Sequence, residues 1–416
     1  MNTTKSENKL HLILILGFLT AIGPLSIDMY LPAFPDIAKS LNTTIASVML
    51  SLSSFFIGIS VGQLIYGPLL ERFGRKTPLY FGLTIYAIAS FGCATAQSVD
   101  MLILFRLFQA LGGCVGMVAS RAMVRDLFEV KDNAKVFSTL MLVVAVSPII
   151  APTLGGFMTA HFGWRTIFAV LVAIIVLIIA AVFFLLPESK KPDASFSLRP
   201  SAIFGNYLGI VKTPQFAVYT FTGAVAYAGL YSYISGSPFV FMVYYKVSEQ
   251  QYGWIFALVA AGLIGASQVN NFLLKRYASE QIFKVALTIQ NLFGLLLVLS
   301  IITGWNNIYS SIGLIFCFLC CQGFQFPNAS ALSMAQFGHN AGSASALMGF
   351  IQMSVGALFS AFVSILQTDS PLAMTGVMAF CSLTASVIYS FGKKLIVKKA
   401  SLILVEEEEV DMINTL

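Results

Sequence analysis

In "SIDMYLPAFPDI", Ser26 to Ile37, a carboxylate, Asp28, stands next to Tyr30, Pro32 and Pro35 near the end of an otherwise apolar run. An acid inside a membrane span costs about 2.5–3.5 kcal/mol on insertion scales, so such residues usually face a cavity and serve function. Gly17, Ala21, Pro24 and Asp28 recur at helical steps, a small-residue face suited to packing or to lining a cavity. The competing reading is a helix-end acid at the outer interface, with Pro32 and Pro35 as the exit of the span and Asp36 as a solvated neighbour. In "RLFQALGG", Arg106, Gln109 and Gly113 share one helical face, so a cation, an amide and a gap for a neighbouring helix point the same way. Here the competing reading is an Arg that snorkels to the interface. Burial and a nearby guanidinium would pull the Asp28 proton equilibrium in opposite directions, so a ligand entering between the pair would switch it.

These residues need an apolar frame, and the composition supplies one. Of 416 residues 57% are hydrophobic and 10% charged, with a mean hydropathy of +0.85, well outside the mix of soluble domains. About twelve runs are long enough to cross a hydrocarbon core of ~30 Å. They fall near 10–31, 45–67, 77–96, 101–121, 135–160, 165–186, 214–240, 251–273, 281–303, 307–328, 341–366 and 371–392. The fold class expected is therefore an all-α polytopic membrane protein. It has an N-terminal six-helix half (1–186), a basic cytoplasmic linker (187–213), a C-terminal six-helix half (214–392) and a tail (393–416) ending in the acidic "EEEEVDMINTL". Of the 24 Lys and Arg, only Lys39, Arg165 and Lys246 fall on one side of this arrangement and Arg106 within a run. The positive-inside rule then places both termini in the cytoplasm, and the net charge of +6 calls for no nucleic-acid partner. The first run has no cleavage site of the A-x-A type and reads as a retained span.

Rival chemistries find little support. The 6 cysteines all lie in apolar runs and read as buried thiols; "CFLCC" lacks a second ligand pair for a metal. The 3 histidines, His11, His161 and His339, sit near span ends with no H-E-x-x-H, and Asp28 has no second carboxylate within a span. An enzyme is not expected, and neither is a cofactor.

Three further stretches carry a family resemblance. Between the second and third runs, "GPLLERFGRKTPL" places Gly67 and Gly74 around Glu71, Arg72, Arg75 and Lys76. Its spacing resembles the signature loop of the major facilitator superfamily, with Glu71 in place of the usual Asp. The resemblance implies that Glu71, Arg72 and Arg75 join a cytoplasmic charge network that holds one conformation shut, with Arg125 and Asp126 of "SRAMVRDLF" as partners. "RLFQALGG" matches the family's R-x-x-Q-x-x-G-G pattern, which implies an inward-facing Arg106. In the fifth run "SPIIAPTLGG" makes two small-residue ladders, Ser147–Ala151–Gly155–Thr159 and Pro148–Pro152–Gly156–Ala160. They resemble the motif that separates antiporters from symporters in this superfamily.

"DMYLPAFP", "GWRTIF", "YISGSPFVF", "PNASAL" and "GSASALMGFIQ" together resemble the bicyclomycin and chloramphenicol/florfenicol resistance branch of drug:proton antiporters, from about Leu12 to Gly392. That implies a monomeric carrier in the bacterial inner membrane, driven by the proton gradient, which exports small amphipathic antibiotics by alternating access. Asp28 and Arg106 would couple protons. Asp28, Tyr30, Phe55, Gln109, Tyr227, Tyr231, Gln322, Gln325 and Asn328 are the candidates for contact with the drug. The alternative is a facilitator carrying a sugar or amino acid, with or without proton symport.

Overall fold

The computed structural model describes residues 3–193, 198–337 and 341–414; His339 lies outside them. All the regular structure among these residues is helical. The chain runs through α1 (Thr3–Asp28), a short 3-10 turn (Leu31–Ala33), α2 (Phe34–Ser40), α3 (Ile45–Phe73), α4 (Lys76–Ala94), α5 (Val99–Leu127), α6 (Val130–Phe162) and α7 (Arg165–Leu185). A linker helix, α8 (Pro200–Val211), follows. The second set is α9 (Pro214–Pro238), continued by a π-helical turn (Phe239–Tyr244), then α10 (Glu249–Leu273), α11 (Ser279–Ile302), α12 (Ile308–Met334), α13 (Ala341–Ile365) and α14 (Leu372–Asn414).

Local chemistry explains where the long helices begin. Thr44 accepts from the Ser47 amide to cap α3, Ser98 from Met101 to cap α5, Ser248 from Gln251 to cap α10 and Asn307 from Ser310 to cap α12. All four caps lie at the end of the molecule opposite the linker. Toward the linker the helices outrun the apolar stretches: α3 carries Glu71 and Arg72, and α5 carries Arg121, Arg125 and Asp126 as far as Leu127. α14 likewise continues through the acidic run.

Among the described residues eleven helices are long and apolar enough to cross a membrane by length and composition. The run at 214–240, expected as a twelfth, forms the 25-residue α9 but falls outside that group. The reason is chemical. α9 carries Tyr219, Thr220, Thr222, Tyr231, Ser232, Tyr233, Ser235 and Ser237, all buried, so its polar side chains face other helices and not lipid.

Within the first set α3, α4 and α1 pack on α5, and within the second α14 and α12 pack on α9 and α11. The sets meet along two helix pairs, α3 with α13 and α6 with α10. The first seam is polar: Ser53 Oγ lies 2.9 Å from Ser360 Oγ, and Ser60 Oγ lies 2.6 Å from Ser354 Oγ. The second is tight: a Cβ on Gly156 would come within 3.0 Å of the Glu249 carbonyl, and one on Gly253 within 3.0 Å of Thr153. At the end opposite the linker, α9 and α10 also pack against the 3-10 turn that follows α1.

Candidate functional site

Asp28 is the last residue of α1 and is 4% exposed. It has no hydrogen bond or ion pair to any described residue. Its direction follows from the helix. Ser26 Oγ lies 2.6 Å from Tyr86 Oη of α4, which fixes that face toward the first set. Two residues advance the helix by about 200°, so Asp28 points the other way, toward α9 and α10. The turn that follows it packs against both helices, and Tyr233 and Tyr252 lie within electrostatic range of the carboxyl.

Arg106 is fully buried, and the interfacial reading fails on that observation. Its guanidinium does not pair with Asp28. It lies 4.1 Å from the Phe55 ring centroid and 4.5 Å from that of Tyr30, with Phe168 at 5.9 Å. Such contacts favour a desolvated cation. Nη1 donates to Gln109 Oε1 at 2.7 Å and to the Ser26 carbonyl at 3.1 Å, and Gln109 donates on to Ser90 Oγ at 2.7 Å. Nε and Nη2 have no hydrogen-bond partner among the described residues. Tyr30 is held by Ser51 Oγ at 2.7 Å. The expected base is thus stored in an aromatic cage, one helical face away from the acid.

The other drug-contact candidates divide in two. Tyr231 of α9 meets Phe56 of α3 edge-on at 4.8 Å, with Tyr227 at 5.6 Å and Met353 Sδ at 3.5 Å from its hydroxyl. Tyr227 in turn lies 4.8 Å from the exposed Phe326. This group spans both sets of helices. Gln322, Gln325 and Asn328 are instead engaged inside the second set, donating to the Ala226 carbonyl, Gln290 Oε1 and Asn270 Oδ1. Their amide nitrogens join helices, while the Oε1 atoms of Gln322 and Gln325 meet no hydrogen-bond partner among the described residues.

The ladders on α6 serve two neighbours. Gly155 lies against α1: an added Cβ would sit 2.0 Å from the Met29 carbonyl oxygen, next to Asp28. Gly156, on the second ladder with Pro148 and Pro152, lies against α10 as described above.

At the linker end the signature loop builds a latch. Gly74 turns the chain with φ +80°, a conformation that favours glycine. Gly67 has open space around its Cβ position and makes no close approach. Arg75, not Arg72, is the centre. Its Nε donates to Asp126 at 2.8 Å and its Nη1 to Glu71 at 3.0 Å. Burial alone would lower the pKa of this guanidinium, but its bonds to Asp126 and Glu71 outweigh that and raise it above the usual range. Residues 186–193 close the cluster. Glu188 accepts from the Arg75 and Lys76 amides at 2.8 and 3.0 Å, Lys190 pairs with Glu71, and Lys76 Nζ donates to the Leu186 carbonyl. Arg72 Nη1 reaches the Asp193 carbonyl at 3.3 Å, and Arg125 is exposed. Glu188 and Lys190 were missed by sequence reasoning, since a basic linker shows no register against a loop far away in sequence.

Comparison with known proteins agrees with this architecture. The chain is 32% identical over 391 residues to a bicyclomycin resistance protein homolog of Haemophilus influenzae, covering 94% of this chain and 98% of that one. It is 28% identical over 276 residues to a chloramphenicol resistance protein of Pseudomonas aeruginosa, covering 66% of this chain and 65% of the other. It is 27% identical to multidrug resistance protein D of Escherichia coli over 352 residues, 84% and 87% of the two chains. In fold it is similar to a bacterial homolog of the human lysosomal transporter Spinster, with a TM-score of 0.72 at 14% identity, covering 94% and 98%. The Major Facilitator Superfamily model matches residues 16–361, and the chain belongs to that family of multi-pass membrane transporters.

Proposed function

We propose that this transporter exports small amphipathic drugs of the phenicol or bicyclomycin type in exchange for protons. Residues 1–186 and 214–392 would act as two halves that rock about the α3–α13 and α6–α10 seams. The working unit is one chain in the bacterial inner membrane, with the linker and both termini on the cytoplasmic side. The observation that carries the reading is Asp28: a buried carboxylate without a hydrogen-bond partner among the described residues, aimed at the junction of the two halves. Relatives named for bicyclomycin, chloramphenicol and multidrug resistance support the substrate class.

The cycle needs few parts. With the outer ends open, Asp28 takes a proton and the drug leaves. With the cavity facing the cytoplasm, the proton is lost and a new drug enters against Tyr227, Tyr231 and Phe56. Each inward proton brings ~2.3 kcal/mol per 100 mV of membrane potential. The contacts of α9 and α10 with the turn after α1 support reading this arrangement as the form closed at the outer ends. The latch of Arg75, Asp126, Glu71 and Lys190 holds the linker to the first half, so that half moves as one body.

Expression in a drug-sensitive host tests the substrate class most cheaply. Raised resistance to phenicols or bicyclomycin, several-fold over an empty vector, is expected. Unchanged resistance to every drug, together with uptake of a sugar or amino acid, would overturn it.

A further inference from the structure

Tyr233 lies on α9, in the half opposite Asp28, and is 1% exposed. Its hydroxyl has no hydrogen-bond partner among the described residues. Buried hydroxyls are nearly always bonded, so this one is free to take a partner that the described residues do not supply in this arrangement. The ring is fixed, stacked on Phe256 with centroids 5.7 Å apart. Its neighbour Tyr252 is already engaged, 2.9 Å from Ser237 Oγ. Of the two phenols within electrostatic range of Asp28, Tyr233 is the one bonded to no other described residue.

The other partner is equally unengaged. Asp28 points out of its own half, because Ser26 on the opposite face is bound to Tyr86. The groups around it are few. Arg106 of α5 is turned into the cage of Phe55 and Tyr30, Tyr30 is bound to Ser51, and α9 and α10 present Tyr233 and Tyr252. An acceptor and a donor, each buried and each without a partner among the described residues, thus stand on either side of the junction that must part when the outer ends open.

We propose that Tyr233 is the positioning residue that enforces coupling: once Asp28 has lost its proton, the Tyr233 hydroxyl donates to the carboxylate and ties the two halves shut at their outer ends. A neutral carboxyl accepts more weakly than a carboxylate, so the tie slackens on protonation. A drug that reaches Asp28 displaces the hydroxyl and frees the halves. An empty, ionised carrier cannot open outward, cannot collect another proton, and therefore cannot run a drug-free proton cycle. This inference rests on the exchange reading above and adds to it the residue that prevents leak.

The test is proton entry into proteoliposomes of the full chain under an imposed pH gradient, without drug. Tyr233→Phe keeps the ring and its stacking on Phe256 and removes only the donor. It is expected to admit protons several-fold faster than wild type, and the double variant Asp28→Asn/Tyr233→Phe is expected to return to the wild-type rate. A Tyr233→Phe protein as tight as wild type would overturn the inference, as would a leak that survives in the double variant, since that reports a disturbed fold. Failure of the underlying reading looks different: Asp28→Asn alone would retain proton-driven drug transport.

Discussion

Asp28→Asn is expected to abolish drug accumulation driven by a pH gradient in everted vesicles, a loss of at least tenfold. Asn keeps the shape of the side chain and removes the proton it would carry. Asp28 is buried without a partner among the described residues, so no ion pair is broken by the change. An unpaired buried carboxyl is a burden on the fold, and the variant should therefore be at least as stable as wild type. Downhill exchange of labelled for unlabelled drug needs no proton and should persist. Uphill transport that survives in Asp28→Asn would remove Asp28 from the mechanism.

Gly155→Ala is expected to damage both stability and transport. The new Cβ would lie 2.0 Å from the Met29 carbonyl oxygen and 2.7 Å from its carbon. The obstacle is backbone, which cannot rotate away, so α6 and the end of α1 must separate. Overpacking of this kind typically costs 1–3 kcal/mol, read as a fall in the melting temperature in detergent. Because Met29 adjoins Asp28, the shift also misplaces the carboxyl, and efflux should fall more than the amount of folded protein. Gly67→Ala is the control: its Cβ would meet nothing within 4 Å, and neither property should change. A Gly155→Ala protein that matches wild type in both would show that close packing of α6 on α1 is not required.

The two charges in the spans were legible from the sequence because an ionised group in an apolar run stands out by cost alone. The spacing of Ser147, Ala151, Gly155 and Thr159 likewise announced close packing, though not against what; the structure assigns Gly155 to α1 and Gly156 to α10. What sequence periodicity cannot supply is the partner. A helical face says that Arg106 and Gln109 point together, and they do, but not that aromatic rings from α1 and α3 receive the guanidinium in place of Asp28. Gln322, Gln325 and Asn328 read as ligand groups from polarity alone, and the structure shows that their amide nitrogens also tie helices together. Helix-to-helix hydrogen bonding uses the same residue types and leaves the same trace in sequence. α9 was legible as the run at 214–240 although its polar groups, buried among helices, keep its mean hydropathy low. Tyr233 was quoted only as part of "YISGSPFVF", since a tyrosine in such a run reads as packing until its hydroxyl is seen without a partner.

Under the proposed exchange, drug and proton move in opposite directions through one carrier. Purified protein in proteoliposomes, with a pH indicator and labelled phenicol or bicyclomycin on the two sides, measures both fluxes at once. Drug moving down its gradient with no imposed pH difference is predicted to drive protons the opposite way, and the proton signal should vanish in Asp28→Asn while drug exchange continues. Drug movement with no proton signal in the wild type, or with protons travelling in the same direction as the drug, would contradict the account.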